Sequence, residues 1–203
     1  MRAIFRIPFT LGFLLVMVTA NWLAGTLDGL LPPQALRAWG ISHQSILNGD
    51  AFRLITGTFL SHDFGMFVRQ LCFAAVVIGC YETIEGTWRA VAVFFTIDVL
   101  GTLLVLFLVL PLLIGLPVAT GEAELLTHDV GMSAGGFGLI GALAANQRHR
   151  WILLIGALLL ITAKVWISFE AIADTAHMLC LCLGFILQAM LNIKSRTTQL
   201  AER

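Results

Sequence analysis

Charge is what this chain has least of. Asp, Glu, Lys and Arg make up 12% of its 203 residues, about half the share of an ordinary soluble domain. The few charges cancel, 12 basic against 12 acidic. No basic field exists to hold a nucleic-acid backbone, so nucleic acid is excluded as a partner. Cysteine is also scarce. Cys72, Cys80, Cys180 and Cys182 all fall inside apolar runs, and none has the spacing of a disulfide framework or a zinc site. They read as small apolar packers, and no metal or cofactor is implied. What fills the chain instead is apolar: 59% hydrophobic residues and a mean hydropathy of +0.92. A soluble fold of this size could not cover so much apolar surface, and disorder is excluded by the same excess. The chain therefore belongs in a lipid bilayer.

A bilayer core takes about 20 apolar residues per helix. The pattern predicts six spans, near Ile7–Leu27, Gly65–Tyr81, Ala90–Leu110, Ser133–Ala145, Trp151–Ser168 and Ala171–Ile193. The segment Asp28–Asp63 is too polar to cross and too rich in Leu, Ile, Phe and Trp for a free linker, so an interfacial substructure is expected. No repeat, low-complexity tract or second domain is visible, and residues 1–203 read as one all-α transmembrane domain. The fourth span is short. It follows the polar stretch Gly121–Asp129 and opens on Gly131-Met132-Ser133-Ala134-Gly135-Gly136-Phe137-Gly138. A helix too short to cross must start below the surface, behind a re-entrant loop. Irregular backbone at that depth is tolerated only where it is buried in protein or lines water, which marks the start of span four as a candidate site.

Arg2, Arg6, Arg89, Arg148, Arg150, Lys194, Arg196 and Arg203 fall on one side of this arrangement, against Arg37 and Arg53 on the other. The positive-inside rule then puts both termini in the cytoplasm. Short loops in a compact chain favour a bacterial inner membrane. Val18-Thr19-Ala20 would pass as a signal-cleavage site, but the apolar run is long for a signal peptide, so an uncleaved first helix is expected.

Ionisable groups inside a span are costly and mark function by default. Arg69 in span two and Asp98 in span three are expected to form a structural ion pair. Lys164, near the outer end of span five, can snorkel. His177 lies seven residues past Glu170, roughly 10 Å along a helix at 1.5 Å per residue. That depth is level with Ser133 at a glycine-lined helix start. A serine hydroxyl is a weak nucleophile until a neutral imidazole accepts its proton. A helix N-terminus offers unpaired N–H groups that can hold an oxyanion. Gly131, Gly138, Gly141 and Gly184 are the expected helix-packing glycines that let spans four and six approach closely, as small residues do between membrane helices.

These residues resemble the rhomboid family of intramembrane serine proteases, from about Ala51 to Leu191. The family's Gly-x-Ser-Gly reads here as Gly131-Met132-Ser133-Ala134, followed by the glycines up to Gly141. Its Ala-His-x-x-Gly-x-x-x-Gly reads as Ala176-His177, then Cys180 and Gly184. Phe52-Arg53-Leu54-Ile55-Thr56 resembles Trp-Arg-x-x-Thr. His62 in Phe59-Leu60-Ser61-His62 resembles the histidine that follows it. Glu82, Gly86 and Arg89 resemble Glu-x-x-x-Gly-x-x-Arg. The resemblance implies a six-helix bundle with a short fourth helix, a Ser133–His177 dyad and no cofactor. It also implies client transmembrane helices as substrates, cut near the outer face. Ala134 and Cys180 depart from the motifs. The family's His-x-x-x-Asn of the second helix, whose side chains hold the oxyanion, falls on Met66 and Gln70 counting back from Glu82, or on Phe67 and Leu71 counting forward from His62. The first register leaves Gln70 and the Ser133 N–H as oxyanion donors. Asp174 either orients His177 or is a solvated loop acid. The alternative to a protease is a rhomboid-like pseudoprotease or complex subunit that binds membrane helices without cutting. A transporter would need paired broken helices in two related halves, and only one broken span is present.

Overall fold

The structure, a computed structural model, describes residues 7–114, 127–167 and 170–201. Arg2, Arg6, Arg203, Ser168 and residues 121–126 of the expected outward loop lie outside the described residues. Within them the chain is helical, with no β-strand and only the isolated pairings Leu30–Asp63 and Ile41–Asp129.

Helix α1 (Pro8–Ala24) starts on a proline and stops at Gly25, whose φ of 86° is the left-handed conformation that ends helices. Three short helices follow, α2 (Pro33–Trp39), α3 (His43–Leu47) and α4 (Arg53–Thr56). They expose Trp39, Leu47, Phe52 and Ile55, the surface expected of an interfacial substructure. Arg53 and Thr56 act there as carbonyl clamps. The Arg53 guanidinium donates to the carbonyls of Arg37 and Gly40 and pairs with Asp50, and the Thr56 hydroxyl donates to the Trp39 carbonyl at 2.9 Å. Each thus satisfies carbonyls that the end of α2 leaves open.

Helix α5 (Phe64–Glu85) is capped by Asp63, whose carboxylate accepts from Met66 N–H at 2.7 Å. It runs one turn beyond the expected Tyr81 because its last acids have partners. Helix α6 (Thr87–Leu104) passes through a π turn at Val105–Val109 into α7 (Leu110–Ile114). Pro111 has no N–H, and its ring crowds the carbonyl one turn back; the widened turn absorbs this. Helix α8 (Ser133–Ala145) has the expected limits. Helices α9 (Arg150–Ile167) and α10 (Ala171–Ala201) complete the chain.

Four helical stretches are long and apolar enough to cross a membrane: Phe64–Glu85, Thr87–Leu112, Arg150–Ile167 and Ile172–Ile193. Pro8–Ala24 and Ser133–Ala145 are shorter apolar helices. Large apolar side chains cover the outside, Trp166, Leu160 and Leu23 among them, a surface suited to lipid.

The short helix is the axis of the bundle. Ala134, Gly135, Gly136, Gly138, Leu139, Gly141 and Ala142 of α8 are all buried, with α5, α6, α9 and α10 packed around them. The closest approach is to α10: a Cβ at Gly141 would strike the Leu181 carbonyl, and one at Gly184 the Gly138 carbonyl. The glycine contact expected between these two helices is therefore present. Far from Ser133, a polar knot ties three helices. Tyr81 donates to Gln188 at 2.6 Å, while Gln188 and Asn146 both donate to Glu85, at 3.2 and 2.7 Å. Arg89 pairs with the other oxygen of Glu85.

Candidate active site

Ser133 is the first residue of α8, and the chain before it is locked in place. Ile41 and Asp129 exchange both backbone hydrogen bonds, at 2.9 and 2.7 Å, and Gly131 N–H donates to the Gly57 carbonyl at 2.9 Å. Val130 and Met132 are buried although neither is helical. This is the protein-lined irregular segment that the short helix implied. Gly131 is not one of the helix-packing glycines, as expected from the sequence, but a turn residue with φ of 137°. A Cβ there would lie 2.5 Å from Gln70 Nε2 and 3.1 Å from Met66 Cε. Met66 and Gln70 are thus the α5 residues that face the site. Phe67 and Leu71, the other register, pack in the core.

Among the described residues the Ser133 and Ala134 N–H groups of the first turn of α8 have no hydrogen bonds, whereas Gly135 N–H donates to Asp98 Oδ1 at 2.8 Å and Gly136 N–H to the Met132 carbonyl. Ser133 is half-buried, and its hydroxyl makes no hydrogen bond among the described residues. It borders a small cavity of about 50 Å³ lined also by Thr58, Asp98, Gly131, Ala134 and Ala176. Gln70 Oε1 accepts from the Ser61 hydroxyl at 2.8 Å, which fixes the amide with its nitrogen over Gly131.

His177 lies against the same helix. Its ring stacks on Phe137 with centroids 4.1 Å apart and planes 23° from parallel. Phe137 stands one turn after Ser133, on the same face of α8. His177 Nε2 is buried and has no hydrogen-bond partner, so no bond joins it to Ser133. Phe137 was not singled out by sequence; the signal is an aromatic four residues after the serine. No three His, Cys, Asp or Glu side chains converge as metal ligands among the described residues.

Two expected partnerships are corrected. Arg69 is exposed and does not meet Asp98, whose oxygens face Gly135 N–H and the Thr58 hydroxyl. A backbone N–H and a hydroxyl serve the buried acid instead. Asp174 does not orient His177. Oδ1 accepts from Lys164 Nζ at 2.8 Å and Oδ2 from Glu170 N–H at 2.8 Å. It is neither a free loop acid nor a histidine partner, but an ion-paired cap of the first turn of α10. Lys164, expected to snorkel, is held by this pair and by Glu170.

A titratable clasp closes the site's outer edge. His62 Nε2 lies 3.1 Å from Asp129 Oδ1. The hydrogen bond to Asp129 raises the His62 pKa, with burial opposing it and the charges of Asp129, Asp63 and Glu170 adding to it. A raised histidine pKa stabilises the fold fully below the unfolded value of about 6.5, and that contribution disappears as pH rises through the folded value. Protection of the Val130 and Gly131 amides, corrected for intrinsic exchange, should therefore fall across this window. His62→Gln should abolish the pH dependence; an unchanged profile in that variant would place the titration elsewhere.

Compared with known proteins, the chain matches no family model and no curated protein sequence.

Proposed function

We propose that this chain is a rhomboid-like intramembrane serine protease that cleaves client transmembrane helices near the outer face of the membrane. In this reading α1 and α8 join the four longer helices as spans of a six-helix bundle, with both termini cytoplasmic in a bacterial inner membrane. The observation that carries it is the start of α8. There, an unbonded serine hydroxyl, two free N–H groups and an imidazole with an unpartnered Nε2 lie along one helix face. A buried polar atom without a partner is costly in an apolar site, and a proton-accepting role accounts for it.

Ser133 Oγ attacks the scissile carbonyl while His177 Nε2 takes the hydroxyl proton. The tetrahedral oxyanion meets the Ser133 and Ala134 N–H groups and Gln70 Nε2, at the positive end of the helix. His177 then gives its proton to the leaving amine, and water releases the acyl group by the same steps. In the resting protein the Ser133–His177 bond is open, as catalytic hydrogen bonds commonly are before substrate is bound. The same open bond, with Met66 where the family carries a histidine, favours the second reading: a pseudoprotease that binds helices without cutting.

A fluorophosphonate probe separates the two. Ser133 should label in detergent or bilayer, and since an unassisted serine hydroxyl is nearly inert, that labelling reports the base as well as the nucleophile. His177→Ala should abolish labelling, and Gln70→Ala should slow it by about 10²–10³-fold. If folded wild-type protein stays unlabelled in a preparation where an active rhomboid labels, the protease reading fails and the binding reading replaces it.

A further inference from the structure

Among the described residues three carboxylates are buried, Glu82, Asp98 and the Lys164-paired Asp174, and the first two are held in opposite ways. Glu82 accepts from Phe9 N–H, Thr10 N–H, the Thr10 hydroxyl and the Thr87 hydroxyl, at 2.9, 2.8, 2.7 and 2.8 Å. Donors on both oxygens at the start of α1 suit a full negative charge. Asp98, 3% exposed, has far less. It takes part in no ion pair among the described residues. Arg53 borders the same cavity, but its two terminal nitrogens serve two carbonyls and Asp50, its Nε is buried without a partner, and none of its nitrogens pairs with Asp98.

The hydrogens around Asp98 can be counted. Oδ1 receives one from Gly135 N–H. Oδ2 lies 2.7 Å from Thr58 Oγ1, and that same Oγ1 lies 3.0 Å from the Leu54 carbonyl oxygen. A carbonyl only accepts, and a threonine hydroxyl has a single hydrogen. With Asp98 ionised, one hydrogen must serve two acceptors. With Asp98 neutral, every contact has its own.

We propose that Asp98 is protonated and that this neutral acid is the positioning residue of the Ser133 helix. Oδ2–H donates to Thr58 Oγ1, Thr58 donates to the Leu54 carbonyl, and Gly135 donates to Oδ1. The chain of three bonds joins α4, α6 and the first turn of α8, and so fixes the depth of Ser133. A carboxylate could hold Gly135 equally well, but it would set a negative charge at the helix end where the oxyanion forms. The proton gives the anchor without that repulsion. The positioning role rests on the reading of Ser133 as the nucleophile; the protonation does not.

Infrared difference spectroscopy of the wild-type protein against Asp98→Asn, in bilayer at neutral pH, tests the protonation. A carboxylic-acid carbonyl band should be present in wild type, shift in D2O and vanish in Asp98→Asn. A carboxylate band in its place overturns the proposal, whether or not Ser133 proves reactive. The positioning role is read from probe labelling of Ser133. Asn copies the neutral acid, with Nδ2 donating to Thr58 and Oδ1 accepting from Gly135, so Asp98→Asn should fold and label at the wild-type rate. Asp98→Ala should lose about 10²-fold, the cost of a misplaced reacting group. Thr58→Val, which removes the acceptor while keeping the shape, should slow labelling in the same direction. Loss of folding or labelling in Asp98→Asn overturns the proposal, as do wild-type rates in both Asp98→Ala and Thr58→Val. A wild-type protein that never labels defeats the protease reading alone, and the infrared band still decides the state of Asp98.

Discussion

Gly184→Ala is expected to be among the most damaging single methyl additions in this protein. The new Cβ would enter the Gly138 carbonyl, with the Gly138 carbonyl carbon 2.6 Å away and its Cα 2.9 Å away. A side chain could rotate aside; helix backbone cannot, so α10 must move off α8. The loss should be about 3 kcal/mol, the upper end of the range for overpacking, read as a fall in thermal midpoint in detergent. Chemistry should suffer as well. His177 stands two turns from Gly184 on the same helix, so the displacement that admits the methyl also parts the imidazole from Ser133. Labelling of the folded fraction should drop about 10²-fold. Gly156→Ala is the control. Nothing lies within 4 Å of a Cβ there, and alanine favours a helix interior by about 1 kcal/mol. Equal midpoints for the two variants would mean that the α8–α10 contact is looser than described.

Glu82→Ala should destabilise the fold at least as much. Its carboxylate accepts from the first-turn donors of α1, Phe9 N–H and Thr10 N–H, and it also serves the Thr10 and Thr87 hydroxyls. Removing it strands several buried donors at about 1–3 kcal/mol each, for a loss of about 3–5 kcal/mol in equilibrium unfolding. Glu82→Gln keeps an acceptor but adds an N–H facing donors, so it should fall between wild type and alanine. Because three of the four stranded donors lie on α1, limited proteolysis should find the N-terminal helix released first. A protein as stable as wild type after Glu82→Ala would mean that α1 is held by its apolar contacts alone.

The apolar runs placed the helices well, because a long hydrophobic stretch has few other fates. Ser133–Ala145 matches to the residue: glycines open that run, and polar Asn146 and Gln147 close it. Ends with buried acids were harder to read. Glu82 and Glu85 look like a helix terminus when their partners are Thr10, Thr87, Asn146 and Gln188, residues far away in the chain or carrying no charge. Asp98 misled for the same reason. Charge in a sequence advertises Arg69, whereas the groups that meet the acid are a backbone N–H and a threonine hydroxyl, which leave no mark in composition. The choice between registers on α5 turned on a single residue of spacing; which α5 side chains face the serine loop is visible only in space, where Gly131 lies against Met66 and Gln70.

The pairing of Ile41 with Asp129 and of Gly57 with Gly131 also fixes an order of events on the ribosome. The short-helix platform is translated first, and its open backbone groups at Ile41 and Gly57 must be served by water or lipid headgroups until the segment before α8 emerges. That segment then finds its backbone partners in chain made before it. His177 arrives later, on the last helix. A nascent protein of the proposed kind thus passes through a stage with its serine loop formed and no base beside it. It stays chemically silent toward its neighbours in the insertion machinery until α10 docks.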